Sequence, residues 1–276
     1  MNITHYETII IGAGLTGLTL ANSLTQKDHQ VLIIEKSRGI GGRLATRRID
    51  GQGLDHGAPV LDFFLDSKKF VNDGMNNYAK SMTKDLNILK ENKVEIISKS
   101  SKGWKLATDL GTEFSCQNLI LTSPLPQAIE LLKLTNLYPS SSDLSSVVYS
   151  KALVLLIIAQ EIPLELSSME FHEHSFYFMR ERNLHPTGIV FHLSQDQSEL
   201  YFEQADDFII SVFLNLLSKS PLSQLGIEKY ELKKWRYAKA LNPMQASFEE
   251  VLPRLYLCGD GFGNPLESAR ALSMNL

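Results

Sequence analysis

Gly12-Ala13-Gly14-Leu15-Thr16-Gly17 has the residue types and spacing of a pyrophosphate cradle. At a strand-to-helix turn the first glycine permits the sharp bend, the second lets a phosphate approach the backbone, and the third lets helix and strand pack closely. The phosphate would rest at the positive end of a helix opening near Leu15, beside Ala13 and Thr16. The setting makes the spacing informative. Thr8–Ile11 is a short apolar run, and Leu15, Leu18, Ala21 and Leu24 recur at helical spacing over Leu15–Leu24. Val31–Ile34 is a second buried strand, as a sheet covered on both faces requires. It runs into Glu35, 18 residues beyond Gly17, with Lys36 next. An acidic side chain there accepts hydrogen bonds from an adenosine ribose and disfavours a 2′-phosphate, and so disfavours NADP.

Two further segments fit the same chemistry. Gly39-Ile40-Gly41-Gly42-Arg43 opens backbone N–H groups beside a guanidinium that can neutralise pyrophosphate. Leu44 continues it. Leu255-Tyr256-Leu257-Cys258-Gly259-Asp260 reads as a buried strand ending in Gly-Asp. An aspartate there can bind a flavin's ribityl chain. The N-terminus of a helix near Leu266 can favour negative charge on a reduced ring. Alone, the glycine run serves equally as an exposed turn and Gly-Asp as a strand-end turn. Together they exceed what a simple NAD dehydrogenase requires.

These segments, in this order, resemble flavoprotein amine oxidases, and within them the smaller renalase-like NAD/FAD-dependent oxidoreductases. The resemblance rests on Gly41-Gly42-Arg43-Leu44-Ala45-Thr46-Arg47, Asp55-His56-Gly57-Ala58, Ser123-Pro124-Leu125-Pro126-Gln127-Ala128, Lys234-Trp235-Arg236-Tyr237-Ala238 and Gly259-Asp260. It implies non-covalent FAD held by two discontinuous parts of one domain, with an antiparallel substrate domain above the flavin. It also implies that Val94 clamps the adenine through its backbone, that Gly57-Ala58 lies beside the isoalloxazine ring, and that Leu266 offers its N–H to the flavin. The substrate side departs from the pattern at Leu184-His185-Pro186-Thr187, at Gln197, at Gly261 and at Ser273-Met274. The chain is also short between Phe64 and Gly74.

The expected fold class is α/β: a Rossmann-like FAD-binding domain over residues 1–128 and 245–276, and an antiparallel-sheet-plus-helix substrate domain over 129–244. Periodicity predicts a helix over Gly74–Leu89, strands at Val94–Ile97 and Trp104–Ala107 joined by a Ser-Lys-Gly turn, a strand at Leu119–Leu121 and a helix at Gln127–Leu132. Ser140–Ser146 reads as a linker or surface loop. Strands follow at Val147–Gln160, Phe176–Met179, Gly188–Leu193, Leu200–Phe202 and Tyr230–Tyr237, with a covering helix at Asp206–Leu217.

The remaining features exclude more than they suggest. A net charge of −4 over 276 residues gives no electrostatic attraction to nucleic acid or an anionic membrane. The longest apolar run, Ala152–Ala159, falls well short of the ~20 residues needed to span a bilayer. The N-terminus shows no signal-peptide pattern, so the expected location is cytoplasmic. Cys116 and Cys258 sit in apolar runs and read as buried reduced thiols. His172 and His174 alternate on one strand face, but no third ligand accompanies them, and no metal is expected. Phe171, Phe176, Tyr177, Phe178, Phe191, Tyr201 and Phe202 are sheet core or the lining of a flat pocket.

The reaction implied is hydride transfer from a small reduced substrate, an isomeric dihydronicotinamide or an amine, with molecular oxygen as acceptor. It needs no side-chain nucleophile, so no catalytic residue is named. Two other readings stay open: an NAD-dependent dehydrogenase using only the N-terminal fingerprint, and a non-enzymatic flavin-binding or interaction module.

Overall fold

The computed structural model describes residues 3–57, 74–139, 143–160, 175–179, 188–220 and 222–276, with backbone alone at 175–179. In chain order the strands are β1 (Thr4–Ile11), β2 (Val31–Ile34), β3 (Thr46–Ile49), β4 (Gln52–Asp55), β5 (Asn87–Leu89), β6 (Val94–Ser100), β7 (Gly103–Thr108) and β8 (Glu113–Leu121). They continue as β9 (Tyr149–Ala159), β10 (Ser175–Met179), β11 (Gly188–His192), β12 (Ile227–Ala240), β13 (Phe248–Leu252) and β14 (Leu255–Cys258). The helices are α1 (Leu15–Thr25), α2 (Met75–Ser81), α3 (Leu125–Leu134), α4 (Gln195–Tyr201), α5 (Asp206–Ser218) and α6 (Pro265–Asn275).

Two structural units result. The first comprises Met1–Gly42, Ala79–Val148 and Ala240–Leu276, and the second Arg43–Tyr78 and Tyr149–Lys239. The boundaries differ from the expected ones. Residues 43–78 join the second unit because β3 and β4 form a hairpin whose Leu54 packs on Val154, Leu156 and Val190. Residues 129–148 join the first unit, where Asn242 holds the end of the segment. Its Oδ1 accepts from the Val148 N–H at 2.6 Å and its Nδ2 donates to the Ser146 carbonyl at 2.9 Å.

The first unit is built on a sheet of order β13-β14-β8-β1-β2-β5, in which β14, β8, β1, β2 and β5 run parallel. Ile9 and Ile10 lie between Leu119–Ile120 on one side and Leu32–Ile33 on the other, all essentially solvent-free. Burying each such side chain contributes roughly 2 kcal/mol. Helix α1 adds Leu18, Leu20, Ala21 and Leu24 to this core and packs against α6. The β6–β7 hairpin, with Ser100 opposite Gly103 across its turn, extends the sheet from the N-terminal half of β8.

In the second unit the sheet order is β10-β11-β9-β12. Alternation along β9 feeds two cores. Leu153, Leu155 and Ile157 join Phe191, Ile209, Phe213 and Leu217 under α5, while Val154, Leu156 and Ile158 meet Leu54 and Trp235 on the other face. Phe191 and Tyr201–Phe202 are therefore core of this unit rather than pocket lining.

Two expected elements differ. Gly74–Leu89 is not one helix: α2 stops at Ser81, Asp85 takes a left-handed backbone (φ +67°), and Asn87–Leu89 pairs with Leu32–Ile34 as an edge strand. The apolar residues Leu86, Ile88 and Leu89 fit either period, and the gain from completing the parallel sheet decides. Leu200–Phe202 is not a strand, since Leu200 and Tyr201 close α4. The Ser194 hydroxyl accepts from the Gln197 N–H at 3.3 Å, a Ser-x-x-Gln start signal that outweighs three consecutive apolar residues.

Both cysteines are free thiols in the interior. Burial pushes each up to about 12. The native protein is therefore expected to leave Ellman's reagent unreacted near neutral pH, while denatured protein titrates both thiols. Rapid reaction of either thiol in the folded protein contradicts this packing. Among the described residues no helix is long and apolar enough to cross a membrane.

Candidate active site

The C-terminal ends of β1, β8 and β14 carry the chemistry-bearing loops of the first unit. Gly12 leaves β1 with φ +111°, a conformation open to glycine, and its N–H donates to the Ile34 carbonyl at 2.9 Å. The Thr122 hydroxyl lies 3.0 Å from the carbonyl oxygen of Ile11 and 3.2 Å from that of Gly12, bracing the turn from β8. A Cβ on Gly17 would stand 2.0 Å from the Gly12 carbonyl oxygen, so close helix–strand packing accounts for this glycine.

Gly14 is different. It is the extended N-cap of α1 (φ −77°, ψ −178°), where any residue fits, and among the described residues a Cβ there would meet no atom within 4 Å. No packing demand explains its missing side chain. The space it leaves lies at the first turn of α1, which has no side-chain cap and no acidic residue. Uncapped N–H groups there favour an anion.

The other segments converge on this loop. The Gly41 N–H donates to the Ala13 carbonyl at 2.8 Å, and a Cβ on Gly42 would lie 3.3 Å from the Gly14 Cα. Gly259 (φ +134°) sits beside Thr16 and Thr122, and its N–H donates to the Ser268 hydroxyl at 2.8 Å. Asp260, half-buried, opens the turn that follows. Glu35 binds the loop with both carboxylate oxygens, accepting from the Ala13 and Ser37 N–H groups at 2.8 Å each. Each oxygen keeps a lone pair that a ribose hydroxyl can use. Lys36 reaches Gln127 of the Ser-Pro-Leu-Pro-Gln-Ala segment at 3.3 Å. Val94, buried, opens β6 opposite Thr108.

One donor is already engaged. The Leu266 N–H donates to Asn264 Oδ1 at 2.9 Å, and Glu267 N–H shares the same oxygen at 3.3 Å. In this structure the Leu266 N–H, expected to face a ligand, is held by an asparagine N-cap. Asn264 and Thr122 are the contributors missed from sequence. Asn before Pro265 at a helix start was a readable signal.

In the second unit, Arg43 Nη1 donates to the Ala238 carbonyl at 3.0 Å and Leu44 is buried. A Cβ on Gly57 would lie 1.5 Å from the Arg43 carbonyl oxygen, so this glycine is required by the chain itself. Ala58, Phe171, His172, His174 and Leu184–Thr187 lie outside the described residues. Asp55 Oδ1 accepts from the Thr46 hydroxyl and from the Met75 N–H at 2.9 Å, tying the β3–β4 hairpin to α2. His56 stacks obliquely on Trp235 at 5.5 Å between ring centroids, and the Trp235 indole N–H donates to the His56 carbonyl at 2.7 Å. Among the described residues no cluster of three or more His, Cys, Asp or Glu side chains has a metal-binding arrangement.

The two units and the Gly14 loop define the class: an α/β chain with a Rossmann-like sheet and a separate antiparallel sheet. Comparison with known proteins agrees. Residues 10–72 match the family model of the NAD(P)-binding Rossmann-like domain. A 4,4'-diapophytoene desaturase of Staphylococcus haemolyticus is 42% identical over 52 residues, 19% of this chain and 10% of that protein. An L-amino acid oxidase of Cerastes cerastes is 42% identical over 45 residues, 16% of this chain and 9% of that protein. These matched stretches thus span about a tenth of each relative's length. Among solved structures, putrescine oxidase bound to putrescine superposes with a TM-score of 0.71 at 12% identity, covering 99% of both chains. A fatty acid isomerase from P. acnes reaches 0.68 at 12% identity, covering 98% of this chain and 97% of that one. At such identities the likeness is one of fold: the chain has the amine-oxidase fold.

Proposed function

We propose that this protein binds FAD non-covalently and oxidises a small reduced substrate in the manner of the renalase-like oxidoreductases. The observation that carries the reading is the open space at Gly14, with Gly41-Gly42 and Gly259-Asp260 gathered around the same loop in one unit. A dehydrogenase using the N-terminal fingerprint alone leaves the last two segments without a task.

Within this reading the N-terminus of α1, with Gly14 and Thr16, holds the pyrophosphate. Glu35 holds the adenosine ribose and Val94 borders the adenine. Asp260 holds the ribityl chain. Arg43, Leu44, Gly57 and Ala58 enter through the resemblance alone, as further cofactor contacts. Flavin, when bound, supplies hydride acceptance and oxygen-dependent turnover. The protein's own part is to bind and orient, and the second unit is assigned substrate recognition. An isomeric dihydronicotinamide is the favoured substrate, because a ring primed to lose hydride needs little acid–base help. An amine is the second candidate.

The test is the visible spectrum of purified protein supplied with FAD, repeated anaerobically with partly reduced nicotinamides and then with amines. Flavin bands that bleach with a dihydronicotinamide and return with air are the expected result. Bands that bleach with no tested donor leave a flavin-binding module. Absence of flavin after addition of FAD overturns the proposal.

A further inference from the structure

The first unit carries a second cleft, at the N-terminal ends of β1 and β14, the opposite end of these strands from Gly12 and Gly259. It has a volume of about 590 Å³ and is lined by His5, Lys99, Lys102, Trp104, Gln117 and Arg254, among others. Its origin is a change of partner along β8. Cys116 pairs with Trp104 of β7, whereas Leu119 pairs with Leu255 of β14. Gln117 and Asn118 fall between, in a notch flanked by two hairpin turns, Ser101-Lys102-Gly103 and Pro253-Arg254. Gly103 (φ +127°) fits because a Cβ there would meet the Cys116 and Gln117 carbonyl oxygens at 2.3 and 2.7 Å.

The two turns bring cations to the notch, and among the described residues no carboxylate lines it. Lys99, Lys102 and Arg254 are exposed, and His5 Nδ1 sits 3.0 Å from the Ser115 hydroxyl. Trp104 is buried and its ring closes the cleft on one side. We infer that this notch is a binding site for a small oxyanion-bearing ligand, a phosphoryl compound or polycarboxylate, separate from the dinucleotide loop. Lys99, Lys102 and Arg254 supply the charge and Trp104 the floor. The cleft exceeds what a bare phosphate fills, so the ligand carries a body as well as a charged group.

Calorimetric titration of the full chain with inorganic phosphate and with citrate tests this. Parallel titrations use Gly14→Val, which blocks the dinucleotide loop, and the double variant Lys99→Glu/Lys102→Glu, whose exposed side chains put no packing at risk. Saturable binding that survives Gly14→Val and weakens at least about tenfold in the double variant supports the site. Tighter phosphate assigns a phosphoryl ligand and tighter citrate a polycarboxylate. No binding of either up to about 10 mM overturns it. So does binding unchanged by the lysine reversals, or binding lost with Gly14→Val, which would place the anion at the glycine loop.

Discussion

Gly14→Val is expected to yield folded protein that purifies without flavin and fails to take up added FAD, a loss of at least about a hundredfold in affinity. The built Cβ at Gly14 meets nothing, and φ −77° with ψ −178° is an ordinary extended conformation for valine. Folding therefore has no reason to object. The isopropyl group instead fills the space in front of the first turn of α1, where a pyrophosphate must approach the uncapped N–H groups. Excluding one well-placed phosphate from such donors removes several charge-assisted hydrogen bonds, each contributing about 1.5–3 kcal/mol. Gly17→Val is the internal contrast. A side chain 2.0 Å from the Gly12 carbonyl oxygen forces α1 off β1, so this variant is expected to lose solubility or melt far earlier. Circular dichroism separates the cases, and flavin absorbance after desalting reads the cofactor. A folded Gly14→Val protein with normal flavin content would falsify the placement of the pyrophosphate.

That contrast also shows what a sequence can and cannot disclose. Gly12, Gly14 and Gly17 are three equal letters in a motif, and their order predicted the β1–α1–β2 unit correctly because strand, turn and helix are consecutive in the chain. Their separate reasons are spatial. Gly17 answers to the Gly12 carbonyl, and Gly57 answers to that of Arg43. Gly14 answers to no side chain or backbone atom among the described residues. Contacts set by distant pairing were harder to read. The pairing of Asn87–Leu89 with β2 was hidden inside a plausible helical period. The β3–β4 hairpin carries little strand signal, because of its eight strand residues only Leu54 is fully buried. The Asn264 cap was legible in principle, since an asparagine before a proline announces a helix start, and with it the engagement of the Leu266 N–H.

The second unit should lose its stability in mild acid, through two histidines. His192 is buried and His56 half-buried, and both rings are held neutral. Burial is the larger cause in each and brings both down to about 4. The Lys233 charge adds to the effect at His56, and His56 itself adds to it at His192. The alternation that turns Val190 toward Leu54 turns His192 the same way, so the two rings share one face of the sheet. Among the described residues His56 Nδ1 is buried without a hydrogen-bond partner, so a proton added to this ring gains no acceptor at that nitrogen. A folded-state pKa below the unfolded value of about 6.5 means that the unfolded chain takes up protons first. The stabilisation is complete above pH 6.5 and drains away as pH falls toward 4, by about 3 kcal/mol for each histidine. Hydrogen exchange followed by mass spectrometry on peptides covering 188–193 reads this unit directly. Protection there should drop steeply between pH 6.5 and 4.5, after correction for intrinsic exchange, while β1 of the first unit changes less. His192→Asn keeps a polar group but cannot take the proton, and should remove about half of that slope. Protection over 188–193 that stays flat across this range would mean that neither ring is held neutral by burial.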